Sequence, residues 1–165
     1  MADLPQDESH ERMHFLLGRF ERPASEFYRE YADNNDFFDG APIKNMSKLT
    51  MNILRGADDD FIRECRTDNF RILHAAFGDR NELQGLRVPE GAFAYPLMVS
   101  NGAEVRRKLV LEKFYIPILW PNVLDDAEPG TWDYELAKNV LPLPVDQRYG
   151  EENMEALIHS VKKYL

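Results

Sequence analysis

The apolar residues of this chain change their period partway along, and that change sets what it can fold into. Met13, Leu16, Leu17, Phe20, Ala24, Phe27, Tyr28 and Tyr31 recur at intervals of one, three and four, the spacing of a helix with one apolar face. Pro23 interrupts the stripe without shifting its phase, which predicts a kinked helix or two nearly collinear ones, stopped at Asp39-Gly40. A second helix is predicted from Ser47, whose hydroxyl suits a cap, with Leu49, Thr50, Ile53 and Leu54 inward and Gly56 as its stop. A third follows at once. Asp58, Asp59 and Asp60 sit where the positive end of a helix dipole favours anions, and Phe61, Ile62, Cys65, Ile72, Leu73 and Ala76 supply its buried side.

From residue 79 the pattern loosens. Gly85, Pro89 and Gly91 mark a connection with a short strand near 86–88, and Phe93 to Val99 then reads as a strand. Asn101-Gly102 breaks it, and Ala103 to Phe114 is predicted as a helix with Arg106, Arg107 and Lys108 outward and Val105, Leu109 and Phe114 inward. A second strand is expected over Tyr115 to Leu119, a surface loop over 122–131, and a helix over Trp132 to Asn139. Val140 to Val145 is extended, and its prolines suit a sheet edge. The last helix, from Glu151, carries Met154, Leu157, Ile158 and Val161 inward. The expectation is an α+β fold in which a helical segment, 1–80, precedes a small, mainly antiparallel sheet covered by helices, 81–165. With 165 residues, 44% of them apolar, one core and therefore a single domain are expected.

Charge narrows the partners. The formal charge of −9 and the scatter of seven Lys and thirteen Arg among acids leave no basic surface for nucleic acid. No apolar run approaches the about 20 residues that span a bilayer, and the first residues are acidic where a signal peptide is basic, so no membrane partner is expected. Cys65 is the only cysteine, which excludes an intramolecular disulfide and fits a cytoplasmic setting. No base stands near it in sequence to make it a nucleophile.

His10-Glu11-Arg12-Met13-His14 matches the pattern in which two imidazoles one helical turn apart bind zinc while the glutamate activates water. The chemistry also needs a third ligand and a walled cleft, and nothing in the sequence singles either out. A polar helix start is the favoured reading, and a small zinc hydrolase on His10, Glu11 and His14 the remote one. Asp33, Asp36 and Asp39 lack the glycine and the closing glutamate of a calcium loop. Ser47, Ser100 and Ser160 stand in no nucleophile elbow. Trp120 and Trp132 flank an acidic stretch near Tyr115, Tyr134 and Tyr149; such aromatics can line a sugar pocket, but more often form the core and rim of a small sheet.

Three stretches taken in order carry a family likeness: Ala94-Tyr95-Pro96-Leu97-Met98-Val99-Ser100, Tyr115-Ile116-Pro117-Ile118-Leu119-Trp120-Pro121-Asn122, and Leu141-Pro142-Leu143-Pro144-Val145-Asp146-Gln147-Arg148-Tyr149. With Met46 to Thr50 and Arg66-Thr67-Asp68-Asn69-Phe70-Arg71-Ile72-Leu73 before them, they resemble the C-terminal part of DegT/StrS-type sugar aminotransferases over about residues 40–165. These enzymes use pyridoxal phosphate to place an amino group on a nucleotide-linked keto sugar. The resemblance implies the small domain of a fold-type I aminotransferase. It also implies that the Schiff-base lysine and the cofactor cradle belong to a large N-terminal domain not represented here, since none of the seven lysines sits in a segment like the family's lysine motif. The chain alone is then expected to bind no cofactor and to be inactive, and to pair with the missing large domain or a lysine-bearing subunit as a homo- or heterodimer. A non-catalytic partner-binding module is the alternative. In the family the segment before the second helix reaches a neighbouring active site, which points to Lys44 and Asn45 as substrate contacts. Trp120 stands where the family often has a histidine and would replace it as a wall.

Overall fold

The computed structural model describes residues 4–165, and the chain groups into two compact units, Met1–Ala57 and Asp58–Leu165. The single domain expected from the sequence, with its internal boundary at 80, is divided at 57/58 instead. The division falls earlier because the third helix packs with the sheet that follows it. The whole is α+β, 53% helical with one small antiparallel sheet.

In the first unit a 3₁₀ turn, His10–Met13, leads into α1, His14–Gly18, and a second turn, Ala24–Phe27, leads into α2, Tyr28–Asp36. The expectation of collinear helices fails. A straight helix would separate residues sixteen apart by about 24 Å, yet His14 Nδ1 lies 2.8 Å from Glu30 Oε2 and the rings of Phe15 and Tyr31 meet at 5.9 Å. The chain doubles back at Pro23, and Gly18 permits it: a Cβ there would lie 2.2 Å from the Phe27 ring. Helix α3, Lys48–Arg55, begins as expected with the Thr50 N–H donating to Ser47 Oγ at 3.0 Å. The first described residues run beside residue 45 in a parallel bridge, with the Asn45 N–H donating to the Pro5 carbonyl and the Asp7 N–H to the Asn45 carbonyl, each at 2.9 Å.

The second unit starts with α4, Asp59–Phe77, capped by Asp58. It continues with β1, Ala94–Met98; α5, Gly102–Leu111; α6, Val123–Asp126; α7, Trp132–Asn139; β2, Val140–Pro144; and α8, Glu151–Lys162. β1 and β2 pair antiparallel with Tyr95 opposite Leu143, Pro96 opposite Pro142 and Leu97 opposite Leu141. Prolines at 96, 142 and 144 all fall in the alternate set of pairs that exchange no hydrogen bonds, so their missing N–H groups cost the ladder nothing. The same alternation turns Tyr95, Leu97, Leu141 and Leu143, each fully buried, into one core. Phe70, Leu73 and Phe77 of α4, Val105 and Leu109 of α5, and Met154, Leu157 and Val161 of α8 complete it.

Other departures from expectation have local causes. Tyr115 to Leu119 is irregular rather than a strand: Pro117 and Pro121 remove donors, and only Ile116 of that run is buried. Residues 86–88 pair with nothing as strand, and the stretch read as a loop holds the single turn α6. Arg106, expected outward, is 8% exposed and donates to the carbonyls of Lys138 at 3.0 Å and Val140 at 2.6 Å. It thereby satisfies the C-terminal end of α7, where a cation is favoured. Close approach there requires Gly102, since a Cβ would fall 1.8 Å from the Asn139 carbonyl oxygen.

Candidate functional site

Two confluent hollows of about 380 and 460 Å³ open beside the end of β2 in the second unit, sharing Tyr115, Pro144, Asp146 and Arg148. Their floor is the segment 145–149, which follows β2 and would otherwise be a free loop. Asn69, buried on α4, holds it from beneath: its amide donates to the carbonyls of Val145 and Asp146, both at 3.2 Å, and of Tyr149 at 2.9 Å. Three carbonyls converging on one amide fix the path of the loop.

Two arginines stand over that floor. Arg66, one helical turn before Asn69, donates from Nε to Gln147 Oε1 at 3.2 Å and from Nη1 to the Ala92 carbonyl at 3.0 Å. Arg148 grips Asp146 as a fork, Nε to Oδ1 at 2.8 Å and Nη2 to Oδ2 at 2.9 Å. That fork, with Arg66 adding to it, holds the Asp146 carboxyl below its ordinary range, and Asp146 raises the Arg148 guanidinium in return. Lys113 borders the larger hollow. It is the one non-glycine residue among those described with positive φ, 67°, and it closes α5 where glycine is usual: the Phe114 N–H returns to the Leu109 carbonyl at 2.9 Å. Phe93 and Tyr115, each 76% exposed, form the rim. The lining therefore carries three cations and one already paired carboxylate in a chain of net charge −9.

The residues expected from sequence lie elsewhere. Lys44 and Asn45 belong to the first unit and are engaged within it. Lys44 Nζ lies 3.4 Å from Asp7 Oδ1, and the Asn45 amide donates to the Leu4 carbonyl at 2.8 Å, beside a hollow of about 320 Å³ with Phe37, Phe38 and Ile43 in its lining. Trp120, in the second unit, is 48% exposed at the turn into α6 and lines neither hollow. His10 and His14 are not one helical turn apart on a common face. The 3₁₀ turn that holds His10 repeats every three residues, so His10 lies over Met13, and His14 faces Glu30. Among the described residues no three His, Cys, Asp or Glu side chains gather so as to hold a metal. Cys65 is partly buried on α4.

Pyridoxal phosphate does not fit the residues present. It needs a lysine beside an anion for its ring nitrogen. The cleft that Lys113 borders has a single carboxylate, Asp146, and that is closed by the Arg148 fork. Lys108 and Lys163 are committed to Glu104 and Glu112 on the surface. In the sequence Arg66, Asn69 and the 145–149 segment stand out only through the family likeness, and a separation of about 80 residues leaves no local signal that they meet in one cleft. No helix among the described residues is long and apolar enough to cross a membrane. Compared with known proteins, the chain matches no family model, no curated protein and no solved structure.

Proposed function

We propose that this chain is the small-domain part of a pyridoxal-phosphate-dependent aminotransferase acting on a nucleotide-linked keto sugar, and that it does not transaminate by itself. The observation that carries this reading is the contact between the two stretches most like that family: Asn69 in Arg66-Thr67-Asp68-Asn69-Phe70 donates to the backbone of Val145-Asp146-Gln147-Arg148-Tyr149. A likeness spread over distant segments gains weight when those segments build one local structure. On this reading the lysine and the cofactor cradle come from a large domain or a second subunit, and the working unit is a dimer, in the cytoplasm.

A non-catalytic assembly module remains the second reading. It is favoured by the apolar side chains the first unit leaves in water, among them Leu17, Phe20, Ile43 and Ile53, each more than half exposed. One experiment separates the two. The purified chain mixed with pyridoxal phosphate is expected to give no lysine-dependent absorbance band, and to support transamination only when a lysine-bearing large-domain polypeptide is added. A band from the chain alone, lost when its lysines are methylated, would overturn the first reading; binding of such a partner without turnover would favour the second.

A further inference from the structure

We infer that the paired hollows over residues 145–149 form a docking trough for an extended acidic peptide with apolar side chains, a segment of a partner protein. The inference stands whichever way the aminotransferase reading falls. The placement of the cations argues for a chain-like ligand. Arg66 lines only the smaller hollow, Lys113 only the larger, and Arg148 the junction that both share. Positive groups spread along a trough suit carboxylates spaced along a peptide, which meet them in turn, and not one compact anion. The single carboxylate of the lining, Asp146, does not repel such a ligand, since both its oxygens accept from Arg148. The trough is therefore locally positive in a chain of net charge −9, a complement to acidic side chains.

Two side-chain amides specify a peptide backbone. Gln147, in the smaller hollow, has its Oε1 occupied by Arg66, and Asn153, in the larger, has its Oδ1 occupied by the Gly150 N–H at 3.0 Å. Among the described residues the NH₂ group of each donates to nothing, so each hollow offers a primary amide to a carbonyl. Asn69 shows the same group gathering backbone carbonyls within this unit. The apolar part of the ligand is set by the walls. Ile116, Met154 and Leu157 line the larger hollow, and the exposed rings of Phe93 and Tyr115 border the smaller, so an apolar side chain laid there leaves water.

Titration of a labelled, end-capped hexapeptide, Glu-Leu-Glu-Glu-Leu-Glu, with the full chain, read by fluorescence anisotropy, tests this. Saturable binding is expected, weakened about tenfold when every glutamate of the peptide becomes glutamine or every leucine becomes serine. Lys113→Gln should weaken the acidic peptide about threefold and leave the glutamine peptide unchanged, while Tyr115→Ser should weaken both about threefold. Lys113 and Tyr115 are exposed, and neither side chain bonds to another described residue, so these variants read the trough and not the fold. The proposal is overturned by absence of saturable binding, by equal affinities for the glutamate and glutamine peptides, or by both variants binding as the parent does. Glutarate competing as tightly as the peptide would overturn it in favour of a compact-anion site, and self-association of the chain that excludes the peptide would give the trough to a second copy.

Discussion

The two units reach compactness by different means. The second gathers fifteen buried apolar residues into one cluster fed by three helices and both strands. The first, among its described residues, buries two apolar side chains, Phe15 and Phe27. It otherwise relies on polar stitching at Asn45 and Ser47 and on arginines laid over rings, Arg12 4.9 Å from the Phe37 centroid and Arg19 5.3 Å from that of Tyr31. A fully buried large apolar side chain contributes roughly 1.5–3 kcal/mol, whereas ordering each residue's backbone costs about 1–2 kcal/mol. Cation–ring contacts at exposed sites add only about 0.5–1 kcal/mol each. The second unit therefore has a core of its own, while the first has little buried apolar surface to hold it.

The largest expected effect follows from dividing the chain. Residues 58–165 made alone are expected to unfold cooperatively in urea with near-native helical circular dichroism, while residues 1–57 alone show no cooperative transition. A cooperative transition in the short fragment would erase the contrast, because its stability would then have a source other than buried apolar area.

Within the second unit the sharpest single test is Asn69→Ala. It leaves the carbonyls of Val145, Asp146 and Tyr149 without their shared donor and opens a small void, and should cost about 2–3 kcal/mol by urea denaturation. Resonances of residues 146–149 should broaden or shift in the same variant. A loss below about 0.5 kcal/mol would mean that the loop is fixed by its own turn and not by α4.

How much of this was legible in the sequence differs between the units for the same reason that their cores differ. In the second unit the Met154, Leu157 and Val161 stripe marks a face that is buried, so its period reports α8. Of the side expected inward on α4, Phe61, Ile62, Cys65, Ile72, Leu73 and Ala76, only Leu73 is fully buried and Phe61 is 55% exposed, because Phe70 and Phe77 take the inner face. Ser47 was readable as a cap, and Asp58 to Asp60 as the acidic start of a helix, of which Asp58 proves to be the cap, a signal that spans three residues. In the first unit the stripe from Met13 to Tyr31 kept its phase across Pro23, yet the chain reverses there, and Leu17 and Phe20 end in water. Periodicity describes which residues could share a face; it does not say whether two segments continue or fold back. Arg106 failed differently. Three consecutive basic residues read as a solvated face, but the carbonyls at the end of α7 arrive from more than 30 residues away to receive the first of them. The cleft was illegible for that reason too, since Arg66 and Arg148 come together only through the pairing of α4 with the segment after β2.

A gain in stability is expected from Lys113→Gly. The left-handed backbone at φ 67° costs a lysine about 1 kcal/mol that glycine does not incur, while the Phe114 to Leu109 hydrogen bond that ends α5 is kept. The midpoint of urea unfolding should rise with its slope unchanged. If the midpoint falls, Lys113 contributes a contact at the mouth of the hollow worth more than the strain. That result would locate part of the second unit's stability in the cleft instead of in the core.

The smallest effect is a pH dependence, and its sign is fixed by the fork at Asp146. Arg148 holds the folded-state carboxyl below the ordinary aspartate value of about 4, so the unfolded chain takes up the proton first as pH falls. The pair therefore stabilises the fold fully above that value and loses its contribution as pH drops through the folded pKa. Because the Arg148 side chain is 75% exposed, solvent screening limits the contribution to less than about 1 kcal/mol. Parent and Asp146→Asn should differ by that amount at neutral pH and converge once the pH lies below the lowered folded-state pKa, in parallel denaturation series. A difference that persists into acid would assign the loss in the variant to the Arg148 backbone N–H, which donates to Asp146 Oδ1 at 3.1 Å, and so to the loop's geometry and not to its charge.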